Sequence, residues 1–210
     1  MVRACPICQN EQQLTTLWGI ETISRCPNCS LGYVSRLPTV EELAATYSEE
    51  FFEGASAYSK YVADKTTIQA NFKNRIEVLL RFSRGGRLFE AGCAHGFFLE
   101  LASEYWDVQG IDISKSSIDY AREALGLDVT HGDLESHPPA LNTFDVVAMW
   151  DTIEHLYDPV MAIEIIAESL KPGGILALTT GDVNALLPRI QRKSWRLLHP
   201  THLYYFSKQS

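Results

Sequence analysis

A short apolar segment that runs into a glycine-bearing turn and then a helix constrains the fold of this chain most strongly. Leu88 and Phe89 favour a β-strand, and Gly92 and Gly96 permit positive φ angles in the turn after it. The apolar residues of Phe97–Ala102 then recur at helical spacing. Strand, turn and helix N-terminus form the corner at which open α/β sheets bind ligands. Glycine also serves tight packing in such a connection, so the turn alone does not establish a site.

The next predicted strand, Val108–Ile113, strengthens the interpretation of the turn as a ligand-binding corner. Its Asp112 follows the turn by about 20 residues, the distance at which a Rossmann-type sheet places an acid on ribose hydroxyls. The turn itself reads Glu90-x-Gly92-x-x-x-Gly96 and is not the dinucleotide fingerprint GxGxxG. A nicotinamide-dependent dehydrogenase is therefore disfavoured.

Strands and helices alternate through the rest of the chain. Leu127–Thr130, Phe144–Trp150 and Ile175–Thr180 predict further strands. Ser114 and Asp158 are typical caps of the helices between them. This alternation predicts an α/β fold with a Rossmann-like, doubly wound parallel sheet.

Two CxxC pairs near the start predict a metal site. The pairs are separated by 17 residues, which fits the spacing of a zinc ribbon. Four thiolates close a tetrahedral site, so the zinc would be structural. The β-rich stretch Leu14–Ile23 predicts a ribbon hairpin between the pairs. A redox dithiol or incidental buried cysteines are less favoured alternatives. The predicted zinc ligands are Cys5, Cys8, Cys26 and Cys29.

The ribbon is followed by a predominantly helical segment. Thr39 and Glu42 form a predicted capping box, and an amphipathic helix is predicted over Tyr58–Phe82. We expect three domains: a zinc ribbon over 1–37, a helical linker and lid over 38–83, and an α/β domain over 84–210. The aromatic residues that could form the lid are Tyr47, Phe51, Phe52, Tyr58 and Tyr61.

Composition narrows the class of partner. The net charge of −8 over 210 residues argues against a general nucleic-acid binder. No apolar stretch approaches the length of a membrane span, so we expect a soluble, cytoplasmic protein. The basic stretch around Arg189, Arg192, Lys193 and Arg196 is interpreted as a solvated helix face.

Several motifs together resemble class I S-adenosylmethionine-dependent methyltransferases. The resemblance is stronger to a subgroup with an N-terminal zinc ribbon, whose members act on sugars or other small metabolites. It implies S-adenosylmethionine as cofactor and a small-molecule methyl acceptor. The matching motifs are the turn after Glu90, Phe144-Asp-x-Val, Glu154-His-Leu, Leu170-Lys-Pro-Gly-Gly174, Trp195 and His199–Ser207.

The resemblance also implies roles for single residues. The turn would hold the methionine part of the cofactor, and Asp112 would bind the ribose. The adenine would be contacted by Ile113, Asp133 and Leu134. Trp150 and Asp151 would lie beside the sulfonium. The implied cofactor-binding set is Glu90, Gly92, Cys93, Gly96, Asp112, Ile113, Asp133, Leu134, Trp150 and Asp151. Cys93 is interpreted as a packing residue of the motif, and Asp133 is equally compatible with a solvated turn.

His155 is the predicted general base if the acceptor is a hydroxyl or a carbon acid. Glu154 and His155 could instead orient the following loop. His199 and His202 are spaced i, i+3, but a metal site from that pair is disfavoured because no nearby cysteine or acid completes it.

The family's sheet has seven strands, whereas this sequence stops at Ser210. We therefore expect a sheet lacking the last two strands, in a fragment or a shortened member. Its exposed edge would favour a homodimer. The alternative function is a non-catalytic cofactor-binding protein, or a scaffold that docks through its zinc ribbon.

Overall fold

The computed structural model describes residues 3–39, 42 and 63–210. The elements in chain order are β1 Thr15–Leu17, β2 Ile20–Arg25, β3 Gly32–Val34, α1 Lys65–Leu79, β4 Arg87–Ala91, α2 Phe97–Ala102, β5 Asp107–Asp112, α3 Lys115–Glu123, β6 Asp128–His131, β7 Phe144–Trp150, a 3-10 turn Ile153–His155, α4 Pro159–Ser169, β8 Leu170–Thr179, α5 Leu186–Gln191, a 3-10 turn Arg192–Ser194 and β9 Tyr204–Tyr205.

The chain divides into two compact units. The first comprises the described parts of Met1–Ser48, Asp151–Val160 and Thr180–Ser210, and the second those of Glu49–Trp150 and Met161–Thr179. These units do not coincide with the three domains predicted from sequence, whose boundaries stay a prediction. Each compact unit contains segments that are distant along the chain, and local sequence patterns do not indicate which distant segments pack together.

The second unit contains a parallel sheet of five strands in the order β6-β5-β4-β7-β8. The predicted Rossmann-like α/β fold is confirmed, and β7 has the predicted bounds. The predicted start of β8 at Ile175 is wrong, because the strand begins at Leu170. Leu170 already pairs with Phe144, and a register shift then brings Ile175 opposite Val146. Among the described strands, β8 pairs only with β7.

The core of this unit lies around the two central strands. Leu88 of β4 and Val146 and Ala148 of β7 are fully buried. Ile76 and Leu79 of α1 belong to the same apolar cluster. Val147, which points to the opposite face of β7, is also fully buried. Because both faces are covered, only the ends of the inner strands are accessible to a ligand.

The helical segment before the sheet is described only in part. The capping box is confirmed, since the Thr39 amide donates to Glu42 at 2.8 Å and the Glu42 amide to the Thr39 hydroxyl at 3.2 Å. The helix predicted over Tyr58–Phe82 is described from Lys65 and ends at Leu79. The five aromatic residues predicted as a lid lie outside the described residues.

The first unit is built on an antiparallel sheet in the order β1-β2-β3-β9. Trp18 and Gly19, with φ angles of 53° and 73°, form the turn of the predicted hairpin and give it the twist of a type I′ connection. Tyr204 pairs with Tyr33, and Tyr205 with Gly32. Both tyrosines are buried, at 1% and 4% exposed, as expected for side chains that pack inside the unit.

None of the helices in the described ranges combines the length and the apolar character needed to cross a membrane.

Candidate functional site

Glu90 is a buried carboxyl group near the end of β4. It pairs in register with Gly110 of β5 and Ala148 of β7, and it is 2% exposed. Burial, together with the charge of Asp112, raises its pKa well above the usual value, while Arg75 acts in the opposite direction. Within the described residues, its Oε2 atom has no hydrogen-bond partner. A buried acceptor without a partner is costly, so this position suits a ligand that donates a hydrogen bond.

Asp112 holds the glycine-bearing turn from the end of the neighbouring strand. Its Oδ2 accepts from the Ala94 amide, and its Oδ1 from the Ser114 amide, both at 2.8 Å. Burial raises the pKa of Asp112 although these amide hydrogen bonds act to lower it. Two charge-stabilising amides on a half-buried carboxylate fix its orientation.

The backbone of the turn is also tied to β5. The amides of Gly92 and Cys93 both donate to the Ile111 carbonyl, at 2.8 and 3.0 Å. The turn amides of residues 92–94 are therefore satisfied within the protein. The capacity of this corner to bind a ligand lies in the two carboxyl groups, Glu90 and Asp112.

Cys93 and Gly96 are constrained by packing. Cys93 is buried, and a Cβ placed on Gly110 would lie 3.0 Å from its Cβ, so the cysteine occupies space that only glycine leaves open. Gly96 has a φ angle of 76°, and a Cβ there would meet Leu127 at 2.5 Å and Ala121 at 3.2 Å. Burial raises the pKa of the Cys93 thiol well above its usual value, which agrees with a packing role.

Three residues predicted to contact the adenine follow β5 and β6. Ile113 is 57% exposed directly after Asp112, and Leu134 is buried. The carboxylate of Asp133 accepts from the amide and hydroxyl of Ser136, at 2.8 and 3.1 Å. The Ser136 amide is the main cause of the lowered pKa of Asp133. Asp133 thus closes a local turn, and a contact with adenine stays a prediction.

Trp150 at the end of β7 lies beside a residue that the sequence analysis missed. The Arg75 guanidinium lies 4.8 Å from the centroid of the Trp150 ring, and Phe98 packs edge-on against the same ring at 5.2 Å. Arg75 also acts on the buried Glu90. The available signal was a cation directly before Ile76 in the apolar stripe of α1. Asp151 follows Trp150 with a φ angle of 52°, a strained conformation for a residue with a side chain.

The first compact unit brings three potential metal ligands together: Glu154, His155 and His202, whose ligand atoms all lie within 4.8 Å of one another. The rings of the two histidines lie 4.6 Å apart, edge to face. Burial lowers the pKa of His155 and lowers that of His202 to about 4, and it raises the pKa of Glu154. The expectation that no acid lies near the pair of His199 and His202 is wrong for His202, since Glu154 lies beside it, whereas His199 is outside this cluster. The sequence motif Glu154-His155 carried no indication of this long-range contact.

The four paired cysteines form a second cluster in the same unit. Cys5 Sγ lies 3.5 Å from Cys29 Sγ, Cys8 Sγ lies 3.5 Å from Cys26 Sγ, and all four sulfurs are within 4.8 Å of one another. A tetrahedral Zn²⁺ with Zn–S bonds of about 2.3 Å needs sulfurs roughly 3.8 Å apart, so the donor set fits zinc.

The two CxxC pairs form two backbone turns of the same kind. The Gln9 amide donates to the Cys5 carbonyl at 2.9 Å, and the Ser30 amide donates to the Cys26 carbonyl at 3.0 Å. Gln9 and Ser30 have positive φ angles of 56° and 62°. Burial alone would raise the pKa of Cys26, but hydrogen bonds from the Cys29 and Asn28 backbone lower it to about 7. Two matching turns that present thiols to one point are typical of a ribbon metal site.

A family model for the methyltransferase domain matches residues 63–210, which is more than half of the chain. The chain belongs to the class I methyltransferase family. This assignment agrees with the parallel sheet and with the carboxyl groups at the ends of β4 and β5. The family binds S-adenosylmethionine, whose ammonium and ribose hydroxyls are donors suited to Glu90 and Asp112.

Two curated relatives of this chain are ubiquinone biosynthesis O-methyltransferases. The protein from Vibrio cholerae is 35% identical over 107 residues, covering 48% of this chain and 44% of the relative. The protein from Cereibacter sphaeroides is 33% identical over 123 residues, covering 56% and 49%. The chain thus spans about half the length of the curated relatives it matches.

Solved structures show the same methyltransferase fold. One is an S-adenosylmethionine-dependent methyltransferase of Thermotoga maritima, named a possible histamine N-methyltransferase, with a TM-score of 0.60 and 23% identity over 75% of this chain and 73% of that one. A protein of Methanococcus maripaludis, described as a "putative" S-adenosylmethionine-dependent methyltransferase, has a TM-score of 0.54 and 19% identity, covering 60% of this chain and 63% of that one. At these sequence identities the similarity shows the fold but does not indicate a substrate.

Proposed function

We propose that the protein transfers the methyl group of S-adenosylmethionine to a small-molecule acceptor. The observation that carries this proposal is the pair of carboxyl groups at the ends of β4 and β5. Glu90 offers a buried acceptor atom without a partner among the described residues, and Asp112 is a fixed carboxylate on the neighbouring strand. An ammonium group and a ribose diol are matching donors, and the family assignment supplies the molecule that has both.

The roles implied by the resemblance are part of this proposal. The methionine part would lie against the turn, with its ammonium near Glu90, and the ribose would lie on Asp112. The exposed Ile113 would pack on the adenine ring, which explains an apolar side chain in solvent next to a carboxylate. The complete proposed set is Glu90, Gly92, Cys93, Gly96, Asp112, Ile113, Asp133, Leu134, Trp150 and Asp151.

The chemistry is an in-line displacement in which an acceptor lone pair forms a bond to the methyl carbon. The bond from that carbon to sulfur breaks, and its electron pair stays on sulfur as the cofactor becomes S-adenosylhomocysteine. Because the sulfonium is already a good leaving group, the protein mainly aligns the reactants and excludes water. For a hydroxyl acceptor, we propose that His155 assists loss of the proton. Its Nδ1 lies 3.1 Å from the Thr201 carbonyl, which fixes the orientation of the ring.

The relatives favour an oxygen acceptor, because the two reported above are O-methyltransferases of ubiquinone biosynthesis. The resemblance to the zinc-ribbon subgroup points to a sugar or another metabolite. Both belong to the class of small hydroxylated molecules, and this class is proposed here. A net charge of −8 disfavours nucleic acid as the acceptor.

The cysteine cluster is proposed to hold one structural Zn²⁺ through Cys5, Cys8, Cys26 and Cys29. Removing one thiolate by Cys26→Ser should release the zinc and destabilise the sheet that begins at β1. Cys93→Ala is the matched control, because it removes the fifth cysteine, which lies outside the cluster. Zinc per chain, measured by mass spectrometry of the metal, should fall only in Cys26→Ser.

The outer edge of β8 supports the predicted homodimer, since β8 has a strand neighbour on one side only within the described sheet. Light scattering coupled to size exclusion would give the mass. A monomer at all concentrations tested would refute the dimer and leave the proposed activity untouched.

The deciding experiment is calorimetric titration of the full chain with S-adenosylmethionine and S-adenosylhomocysteine, followed by methyl transfer to a panel of hydroxylated small molecules. Binding and turnover are expected. Binding without turnover on any acceptor would favour the non-catalytic alternative. A folded chain that binds neither compound would refute the proposed function.

A further inference from the structure

We propose that Glu154, His155 and His202 form a site for one divalent transition-metal ion, distinct from the cysteine cluster. The two clusters share no ligand. Two imidazoles and one carboxylate are a donor set that zinc and its neighbours in the first transition row accept. The ligand atoms already lie within 4.8 Å of one another, so small side-chain adjustments suffice to close around an ion.

The two imidazoles are held as metal-binding histidines commonly are. His155 Nδ1 lies 3.1 Å from the Thr201 carbonyl, and His202 makes a hydrogen bond to the backbone of Leu197. A backbone carbonyl on one ring nitrogen fixes the ring and increases the basicity of the other nitrogen. Both contacts come from the segment that follows α5, which lies within the same compact unit as the 3-10 turn of Glu154.

The carboxyl group of Glu154 supplies an independent observation that points to a cation. It is 3% exposed, and its Oε2 has no hydrogen-bond partner within the described chain. The carboxylate of Asp151 adds further negative charge close to it. Burying a carboxylate oxygen without a partner costs about 1–3 kcal/mol or more, and a cation would remove that cost.

Three protein ligands leave a coordination position open. Water, or the oxygen of a hydroxylated acceptor, would take it, and the ion would lower the pKa of that hydroxyl. The metal site itself goes beyond the proposed function, whereas its part in the reaction rests on that function: His155 would then act as a metal ligand in place of a general base. Metal binding itself requires neither the cofactor nor turnover, so it is tested separately.

The first test adds Co²⁺ to the chain of residues 1–210, purified with zinc in its cysteine cluster. We expect saturable uptake of about one equivalent, seen as visible d–d absorption without the charge-transfer band of thiolate ligands, and its displacement by added Zn²⁺. Absence of saturable uptake, or a spectrum that shows thiolate charge transfer alone, would overturn the assignment. The wild-type spectrum decides this even if a variant does not fold.

Variants then locate the site. His202→Ala and Glu154→Gln should each weaken Co²⁺ binding at least roughly tenfold. His199→Ala is the matched control, because its ring lies 5.9 Å from that of His202 but outside the cluster. Retained zinc in the cysteine cluster and an unchanged circular dichroism spectrum report folding. Equal weakening in His199→Ala and His202→Ala would show that the ion binds elsewhere.

Discussion

The carboxylate of Asp112 accepts a hydrogen bond from the amide of Ala94 at 2.8 Å, and this contact ties the end of one strand to the turn that follows its neighbour. The same residue is the proposed partner of the ribose. Substituting Asp112 should therefore change both the affinity for the cofactor and the stability of the turn, and these two effects can be measured separately.

Asp112→Ala should weaken S-adenosylhomocysteine binding roughly tenfold or more, because hydrogen bonds to a charged group contribute about 1.5–3 kcal/mol. It should also lower the free energy of unfolding by about 1–3 kcal/mol, because the amides of Ala94 and Ser114 lose their acceptor. Calorimetry and urea denaturation measure the two effects. Asp119→Ala, which removes an exposed carboxylate paired with Lys115, should change neither by much. Unchanged binding in Asp112→Ala would contradict the proposed ribose contact.

Gly96 and Gly126 have nearly the same backbone conformation, so alanine substitutions at both can separate the cost of backbone strain from the cost of steric overlap. Gly96 and Gly126 have φ angles of 76° and 67°, but only at Gly96 would a Cβ meet Leu127 and Ala121. Gly126→Ala should cost about 1–2 kcal/mol for the left-handed conformation. Gly96→Ala should cost about 1–3 kcal/mol more for the overlap. Equal losses in urea denaturation would show that the neighbours of Gly96 move aside.

Glu90 makes the stability of the cofactor-free protein depend on pH. Its pKa is raised in the folded state, so its contribution is full below about pH 4.5 and is lost as the pH rises through the folded pKa. The permanently neutral variant Glu90→Gln should therefore be more stable than wild type at neutral pH, and the difference should shrink towards pH 4.5. Urea denaturation across this range measures it, and Glu123→Gln controls for the loss of one exposed negative charge. The same Glu90→Gln variant should bind the cofactor more weakly.

Tyr204 is expected to stabilise the first unit through its hydroxyl group. The hydroxyl donates to the Tyr157 carbonyl and accepts from Arg3, both at 2.9 Å, and the residue is 1% exposed. Tyr204→Phe leaves both partners without this group and should cost about 1–3 kcal/mol in unfolding free energy. Tyr157→Phe is the matched control, since Tyr157 contributes its backbone carbonyl to this contact and the residue is 49% exposed. A loss of the same size in both variants would contradict the role of the Tyr204 hydroxyl.

Local sequence patterns predicted the parts of this fold that local physics determines. Phe144–Trp150 is a strand with the predicted bounds because its seven mostly apolar residues lie inside the sheet, between two neighbouring strands. The start of β8 was missed because Pro172 and two glycines are typical of a turn, yet a register shift accommodates them in the ladder. The turn residues were identified by their spacing. The hydrogen bond between the Ala94 amide and Asp112 could not be predicted in this way, because it depends on the pairing of β4 with β5.

The long-range parts could not be predicted in the same way. Tyr204 and Tyr205 form a strand only because β3 offers them a partner far away in sequence. Glu154 and His202 meet through the same kind of contact, and no spacing rule relates them. Arg75 approaches Trp150 from a helix that precedes the sheet. Each of these contacts depends on which segments pack together, a property of the whole chain.

The contact between Arg3 and Tyr204 spans 201 positions and belongs to the unit that contains β3 and β9. Translation produces Arg3 and the cysteine turns long before β9, the strand that pairs with β3. The loop that must close is long, and such non-local pairing is slow. During synthesis the parallel sheet can form first, while β3 keeps an unsatisfied edge. Zinc captured by the cysteines at that stage would hold the early segment together until its last strand arrives.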